Sequence, residues 1–218
     1  MARTVLKFGG TSVGDLDRIA NVADIVADRA ARGEHMAVVV SAMAGETNKL
    51  VALAEGAAGQ DLGRDLFHDE YDVIVASGEQ VTAGLLALAL RRRGLKARSW
   101  LGWQLRLKTD EAHGRARILG FENSGLPDSV DSGEIAVVAG FQGVTDDDRV
   151  ATLGRGGSDT SAVAVAAALN ATVCDIYTDV DGVYTTDPRM VPKARRIPKI
   201  SYEEMLEMAS LGAKVLQT

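Results

Sequence analysis

With 218 residues, 46% of them hydrophobic and 25% charged, the chain is long enough to bury a core as one large domain or two small ones. Its formal net charge of -6 offers no attraction to a phosphate backbone or an anionic membrane surface, so nucleic acid and membranes are excluded as expected partners. The longest apolar runs, near 37–43 and 162–169, read as too short to cross a bilayer, and no signal peptide precedes the first strand pattern.

Residues 5–8 predict a strand that runs into a Gly-rich turn. A helix follows over 16–32, with Ile19, Val22, Ala23, Val26, Ala27 and Ala30 on one face and Gly33 as its stop. The unbroken apolar run 36–40 predicts a central strand covered on both faces. Helices are expected over 48–56, 62–75 and 79–93, the last ending in Arg91, Arg92 and Arg93, whose charges complement a helix C-terminus. Strands are expected at 97–100, 136–141 and 172–177, with an Ala-rich helix over 158–169. The stretch 103–148 is less regular and could form a lobe or lid. Cys174 cannot pair internally and reads as a small buried hydrophobe in a reduced compartment, hence cytoplasm. A helix at 203–211 ends at Gly212, and another helix-like run begins at 213. The alternation predicts an α/β fold: a mainly parallel open sheet with helices on both faces, in one domain, and ligands beyond the carboxyl ends of the strands.

Several segments carry chemistry. Lys7-Phe8-Gly9-Gly10-Thr11-Ser12 ends the first strand; two glycines let backbone N–H groups approach an anion, and the lysine adds a compact charge. Neither a Walker A nor a G-x-G-x-x-G pattern occurs, and a plain strand-to-helix turn would also fit these residues. Leu153-Gly154-Arg155-Gly156-Gly157-Ser158-Asp159-Thr160 opens the Ala-rich helix, where orphan amides favour an anion and Arg155 offers a planar fork for a carboxylate. One of Ser158 and Asp159 could simply cap that helix. The polar segment from Thr178 through Asp179, Tyr184 and Asp187 to Arg189 follows a strand, where nucleotide contacts are expected, although Asp-Gly and Asp-Pro also make ordinary turns. Thr47 or Asn48 could cap one helix, and Glu79 could sit in the first turn of another.

Taken in order, 7–13 (KFGGTSV), 41–50 (SAMAGETNKL), 77–82 (SGEQVT), 141–144 (FQGV), 153–160 (LGRGGSDT) and 178–189 (TDVDGVYTTDPR) resemble the aspartate kinase branch of the amino acid kinase superfamily, over essentially the whole chain. The resemblance implies a three-layer kinase catalytic domain over 1–218 and ATP-dependent phosphorylation of the β-carboxylate of L-aspartate, at the head of lysine, threonine and methionine synthesis. It assigns Lys7, Gly9, Gly10 and Ser12 to the ATP phosphates, and Thr178, Asp179, Tyr184, Arg189 and Lys214 to the nucleotide. Thr47, Glu79, Phe141, Arg155 and Ser158 fall to aspartate, with Asp159 organising the centre beside Lys7. Mg²⁺ is expected to travel with ATP, since His35, His68, His113 and Cys174 form no recognisable metal cluster. Family members continue past the counterpart of Thr218 and most add a pair of regulatory ACT domains, so a truncated core is expected, with self-association as a further expectation. Two rivals accompany this reading: a catalytically silent nucleotide-binding fragment, and a kinase acting on another amino acid or carbamate.

Overall fold

The computed structural model describes residues 2–59, 68–122, 124–154 and 156–211. The chain divides into two compact units, Met1–Tyr177 and Thr178–Thr218. The first holds β1 (Arg3–Phe8), a 3-10 turn (Gly10–Val13), α1 (Leu16–Ala31), β2 (His35–Val40), α2 (Glu46–Ala58), α3 (His68–Arg92), β3 (Ala97–Trp100) and α4 (Gly102–Leu105). It continues with β4 (Leu107–Thr109), β5 (Ile118–Phe121), α5 (Leu126–Asp131), β6 (Ile135–Ala139), β7 (Gln142–Val144), β8 (Val150–Thr152), α6 (Gly157–Ala168) and β9 (Val173–Tyr177).

Five strands form a wholly parallel sheet in the order β3-β6-β2-β1-β9. Successive side chains of a strand point to opposite faces, so each strand feeds two cores. Leu6, Phe8, Val38, Val40 and Val137 pack with Ile19, Val22 and Val26 of α1 and Ala83, Leu86 and Leu90 of α3. Val5, Val39 and Val138 pack with Leu126 and Val130 of α5 and Ala162 and Val165 of α6. Each buried Val, Leu, Ile or Phe side chain among them contributes about 1.5–3 kcal/mol relative to exposure. The result is the expected α/β three-layer arrangement, and it explains why the valines of β2 read as one continuous apolar run.

The structure departs from the sequence reading in four places. First, Ser77 and Gly78 do not separate two helices: α3 runs unbroken from His68 to Arg92, and the predicted residues 62–67 lie outside the described residues. Gly78 stays helical because α3 packs closely there; a Cβ on it would lie 2.9 Å from the Ala42 Cβ and 3.2 Å from Leu50 Cδ1. At 25 residues α3 is long and apolar enough to span a bilayer, which the reading of shorter runs missed. Half of its most apolar window is buried inside the fold, with Asp72 and Glu79 buried along it, so it packs as a core helix. Second, part of the irregular stretch joins β8, just beyond it, in a four-stranded sheet, β5-β4-β7-β8, antiparallel except between β4 and β7. Its strands of three or four residues are too short to show a period. Third, the predicted strand 136–141 ends at Ala139, because Phe141 takes a left-handed conformation at φ 66°. Fourth, Cys174 is half-buried on edge strand β9, where burial raises its thiol pKa.

In the second unit a bridge pairs Tyr184 with Arg196, and the Ile197 N–H donates to the Val183 carbonyl at 2.8 Å. Helix α7 (Tyr202–Ser210) is opened by a capping box. Ser201 accepts the Glu204 N–H at 3.2 Å, and Glu204 accepts the Ser201 N–H at 2.9 Å. The helix-like run from 213 lies outside the described residues.

Candidate active site

A cleft of about 420 Å³ opens at the carboxyl ends of β1, β2 and β6, the position where open parallel sheets bind ligands. Its floor is Lys7, 8% exposed near the end of β1, with Nζ 2.6 Å from Asp159 Oδ1. Gly10 follows in the 3-10 turn, where a Cβ would meet the Ala42 carbonyl oxygen at 2.8 Å. The turn after β1 can therefore touch the loop after β2 only as glycine. Gly9 and Ser12 belong to the same turn, held by a Ser12 N–H to Gly9 carbonyl bond of 2.9 Å, but Gly10 is the member that lines the cleft.

One wall is the loop after β2, Ser41 through Gly45, and the start of α2. Gly45, at φ 81°, is the N-cap of that helix, so Thr47 and Asn48 lie in its first turn and cap nothing; both face the cleft. Behind this loop stands α3. The close contact at Gly78 brings Glu79 against the loop, and its Oε1 accepts the Ala42 N–H at 3.0 Å. Glu79 lies in the middle of α3 and not in a first turn, is 3% exposed, and lines the cleft. Its Oε2 is buried without a hydrogen-bond partner among the described residues. Burial pushes the carboxyl up to about 7, partly offset by the Ala42 N–H.

The opposite wall is the start of α6. Its N-cap is Gly156, left-handed at φ 77° and without a side-chain cap, so neither Ser158 nor Asp159 serves as cap; both lie in the first helical turn and face the cleft. Phe141 holds the corner. A non-glycine residue at φ 66° costs of order 1 kcal/mol or more and needs support. That support comes from Ser161, whose Oγ accepts the Phe141 N–H at 2.9 Å while donating to the Gly157 carbonyl at 2.8 Å. The ring then lies so close to Gly157 that a Cβ there would come within 2.6 Å of it.

The cleft thus gathers Lys7, Gly10, Thr47, Glu79, Phe141, Ser158 and Asp159 from the predicted set. Arg155 and Lys214 lie outside the described residues. Thr178, Asp179, Tyr184 and Arg189 belong to the second unit. There the Tyr184 hydroxyl donates to Asp181 at 2.8 Å, and Arg189 forms a two-pronged pair with Asp187 at 2.9 and 3.1 Å. The individual site assignments missed Ser41, Ala42, Met43, Ala44 and Asn48, which also line the cleft, and Ser161 behind it. The loop lay within a noted motif, whereas Ser161 looked like any small helix residue.

A glycine turn beside a buried lysine, facing a helix start without a side-chain cap at the end of a parallel sheet, marks a three-layer α/β protein with groups suited to an anionic ligand. The model of the amino acid kinase family matches residues 2–218. An aspartate kinase of Pseudomonas putida is 55% identical over 217 residues, covering 100% of this chain and 52% of the relative. Aspartokinase 2 of Bacillus subtilis is 51% identical over 216 residues, covering 99% and 52%. Among solved structures, E. coli aspartokinase III in complex with aspartate and ADP superposes with a TM-score of 0.83 at 33% identity, over 98% of this chain and 57% of that one. Aspartate kinase from Synechocystis does so at 0.83 and 45%, over 99% and 34%. The chain belongs to the amino acid kinase family. It spans about half the length of the curated relatives it matches.

Proposed function

We propose that residues 1–218 form the catalytic domain of an aspartate kinase, transferring the γ-phosphoryl group of ATP to the β-carboxylate of L-aspartate. The product would be 4-phospho-L-aspartate, at the head of lysine, threonine and methionine synthesis. The observation that carries this reading is the meeting in one cleft of the Lys7–Asp159 ion pair and a buried Glu79 oxygen without a partner among the described residues. The relatives that match most of this chain, one of them holding aspartate and ADP, support it.

An amino-acid substrate needs an anion for its ammonium and a cation for its α-carboxylate. Glu79 would supply the first and Arg155 the second, with Thr47, Ser158 and Phe141 shaping the space between. The β-carboxylate is already ionised near neutral pH, so its oxygen can attack the γ-phosphorus without a general base. The new O–P bond forms as the bond to the ADP oxygen breaks, and the electron pair leaves with ADP. Lys7 would stabilise the charge on the transferring group, while Asp159 orients the Lys7 ammonium and removes no proton. The Gly10 N–H and the Ser12 hydroxyl would offer donors to the phosphates while Gly9, its N–H given to the Tyr177 carbonyl, would shape the turn, and the resemblance leaves Thr178, Asp179, Tyr184, Arg189 and Lys214 for the rest of the nucleotide. Among the described residues the cleft's acidic groups are Glu79 and Asp159, the latter already paired with Lys7, a donor set that fits Mg²⁺ held chiefly by ATP phosphates. Bound there, the ion would neutralise phosphate charge.

The test is aspartate-dependent ADP formation by the 218-residue chain with Mg-ATP, beside an Arg155→Ala control and glutamate as acceptor. Turnover with aspartate, weak with glutamate and lost in the control, is expected. A folded chain that binds ATP without turnover would instead favour a silent nucleotide-binding fragment.

A further inference from the structure

Asp72 sits on α3 two helical turns before Glu79, outside every segment that carries the family resemblance, and it is fully buried. A carboxylate withdrawn from water needs donors around it. Asp72 has them from two segments distant in sequence. Oδ2 accepts the Thr152 N–H at 2.8 Å, and Oδ1 accepts the Thr152 hydroxyl. The Gly114 N–H is shared between both oxygens at 3.0 and 3.1 Å, and His113 Nδ1 lies 2.8 Å from Oδ2. Because the carboxylate presents only lone pairs, the ring is assigned as donor through Nδ1–H.

Thr152 is the last residue of β8 and the root of the arm that leads into α6. Beyond it the Leu153 N–H donates to the Phe141 carbonyl at 2.8 Å, and the Gly157 N–H donates to the Gly154 carbonyl at 2.9 Å. Ser158 and Asp159 then face the cleft. One helix therefore meets both walls. Glu79 reaches the first directly, and Asp72, seven residues and about 10 Å away along nearly the same face, grips the origin of the second.

We propose that Asp72 is a positioning residue: by holding Thr152 it sets the arm after β8, and with it Ser158 and Asp159, against Glu79. What the cleft binds rests on the kinase reading above; the positioning itself does not. Every hydrogen-bond partner of Asp72 among the described residues is a donor, so Asp72→Asn replaces one acceptor oxygen with an amide that faces donors. Thr152→Val removes only the hydroxyl at nearly constant shape, and Thr152→Ser keeps it.

Two readouts test the idea on the 218-residue chain. Amide hydrogen exchange without ligand should accelerate about tenfold or more at 153–159 in Asp72→Asn, with β1 and β6 unchanged. In turnover assays the aspartate KM should rise about tenfold while the ATP KM stays within about twofold. Thr152→Val should move both readouts the same way by less, and Thr152→Ser should return to parental values. Unchanged exchange at 153–159, or aspartate and ATP KM rising in equal proportion, overturns the proposal. If Asp72→Asn fails to fold, the Thr152 pair decides alone. A parent chain without aspartate turnover would sink the kinase reading, while the exchange result would still decide the positioning.

Discussion

Replacing Glu79 by glutamine removes a charge that the fold disfavours. The side chain is 3% exposed, and burial raises its carboxyl from 4.5 to about 7 despite the Ala42 N–H that it accepts. A displacement of that size corresponds to about 3 kcal/mol between the protonated and ionised forms. The folded chain keeps the proton to a higher pH than the unfolded chain does. The associated stability is therefore complete below pH 4.5 and lost as pH rises through about 7. Glutamine does not titrate and still offers an oxygen to the Ala42 N–H. Relative to Glu79→Gln, the parent should lose about 3 kcal/mol between about pH 4.5 and 8, read as the difference in urea unfolding free energy across a pH series. A difference that stays constant across that range would refute the reasoning, because it would mean that the buried carboxyl titrates alike in both states. On the aspartate kinase reading, the same proton governs the ligand. Below about pH 7 an incoming ammonium must displace it, so in the parent the aspartate KM should rise about tenfold for each unit by which pH falls. The glutamine variant should bind aspartate weakly at every pH.

Other parts of the fold carry further expected outcomes. Lys7→Met should lower kcat by about 10²–10³ while leaving the aspartate KM nearly unchanged, since its charge acts on the transferring group; undiminished turnover in Asp159→Ala would remove the orienting role given to that residue. Gly10→Ala drives a methyl group to 2.8 Å from the Ala42 carbonyl and should cost about 1–3 kcal/mol, seen as a lower melting midpoint, with turnover lost even where the chain folds. Leu86→Ala empties a fully buried position between α3 and the sheet, and should cost about 2–5 kcal/mol in urea unfolding without moving either KM.

The central layers were legible because their burial imposes a period. Ile19, Val22 and Val26 share a helical face, and the valines of β2 are apolar on both sides, so α1 and β2 could be read directly. Gly78 misled for the opposite reason. A glycine inside a helical pattern weakens the helix signal, yet here its missing side chain is what α3 needs to lie against Ala42. The glycines and Lys7 of the cleft were visible as motif residues, whereas their environments were not: nothing local to Glu79 states that it will be buried, or that Gly45 and Gly156 will take the capping positions. Phe141 and Ser161 depend on a contact between residues twenty positions apart, and Asp72 on one between residues eighty apart; single-sequence periodicity has no access to either.

Asp72 and Glu79 form a controlled comparison, since they are two buried carboxylates on one face of one helix. Asp72 is saturated: both oxygens accept, and the donors come from a loop and a strand end that also meet through the Ala116 N–H to Thr152 carbonyl bond of 2.9 Å. Glu79 accepts one backbone N–H, and its second oxygen is left unpartnered among the described residues, at a position that borders a cleft. Evolution of a stable core would remove such a deficit by a glutamine, a methionine or an added donor, because an unpaired buried acceptor costs about 1–3 kcal/mol and more when charged. That the helix satisfies one acid and leaves the other wanting a cation argues that the first builds the site and the second is part of what the site holds its ligand with.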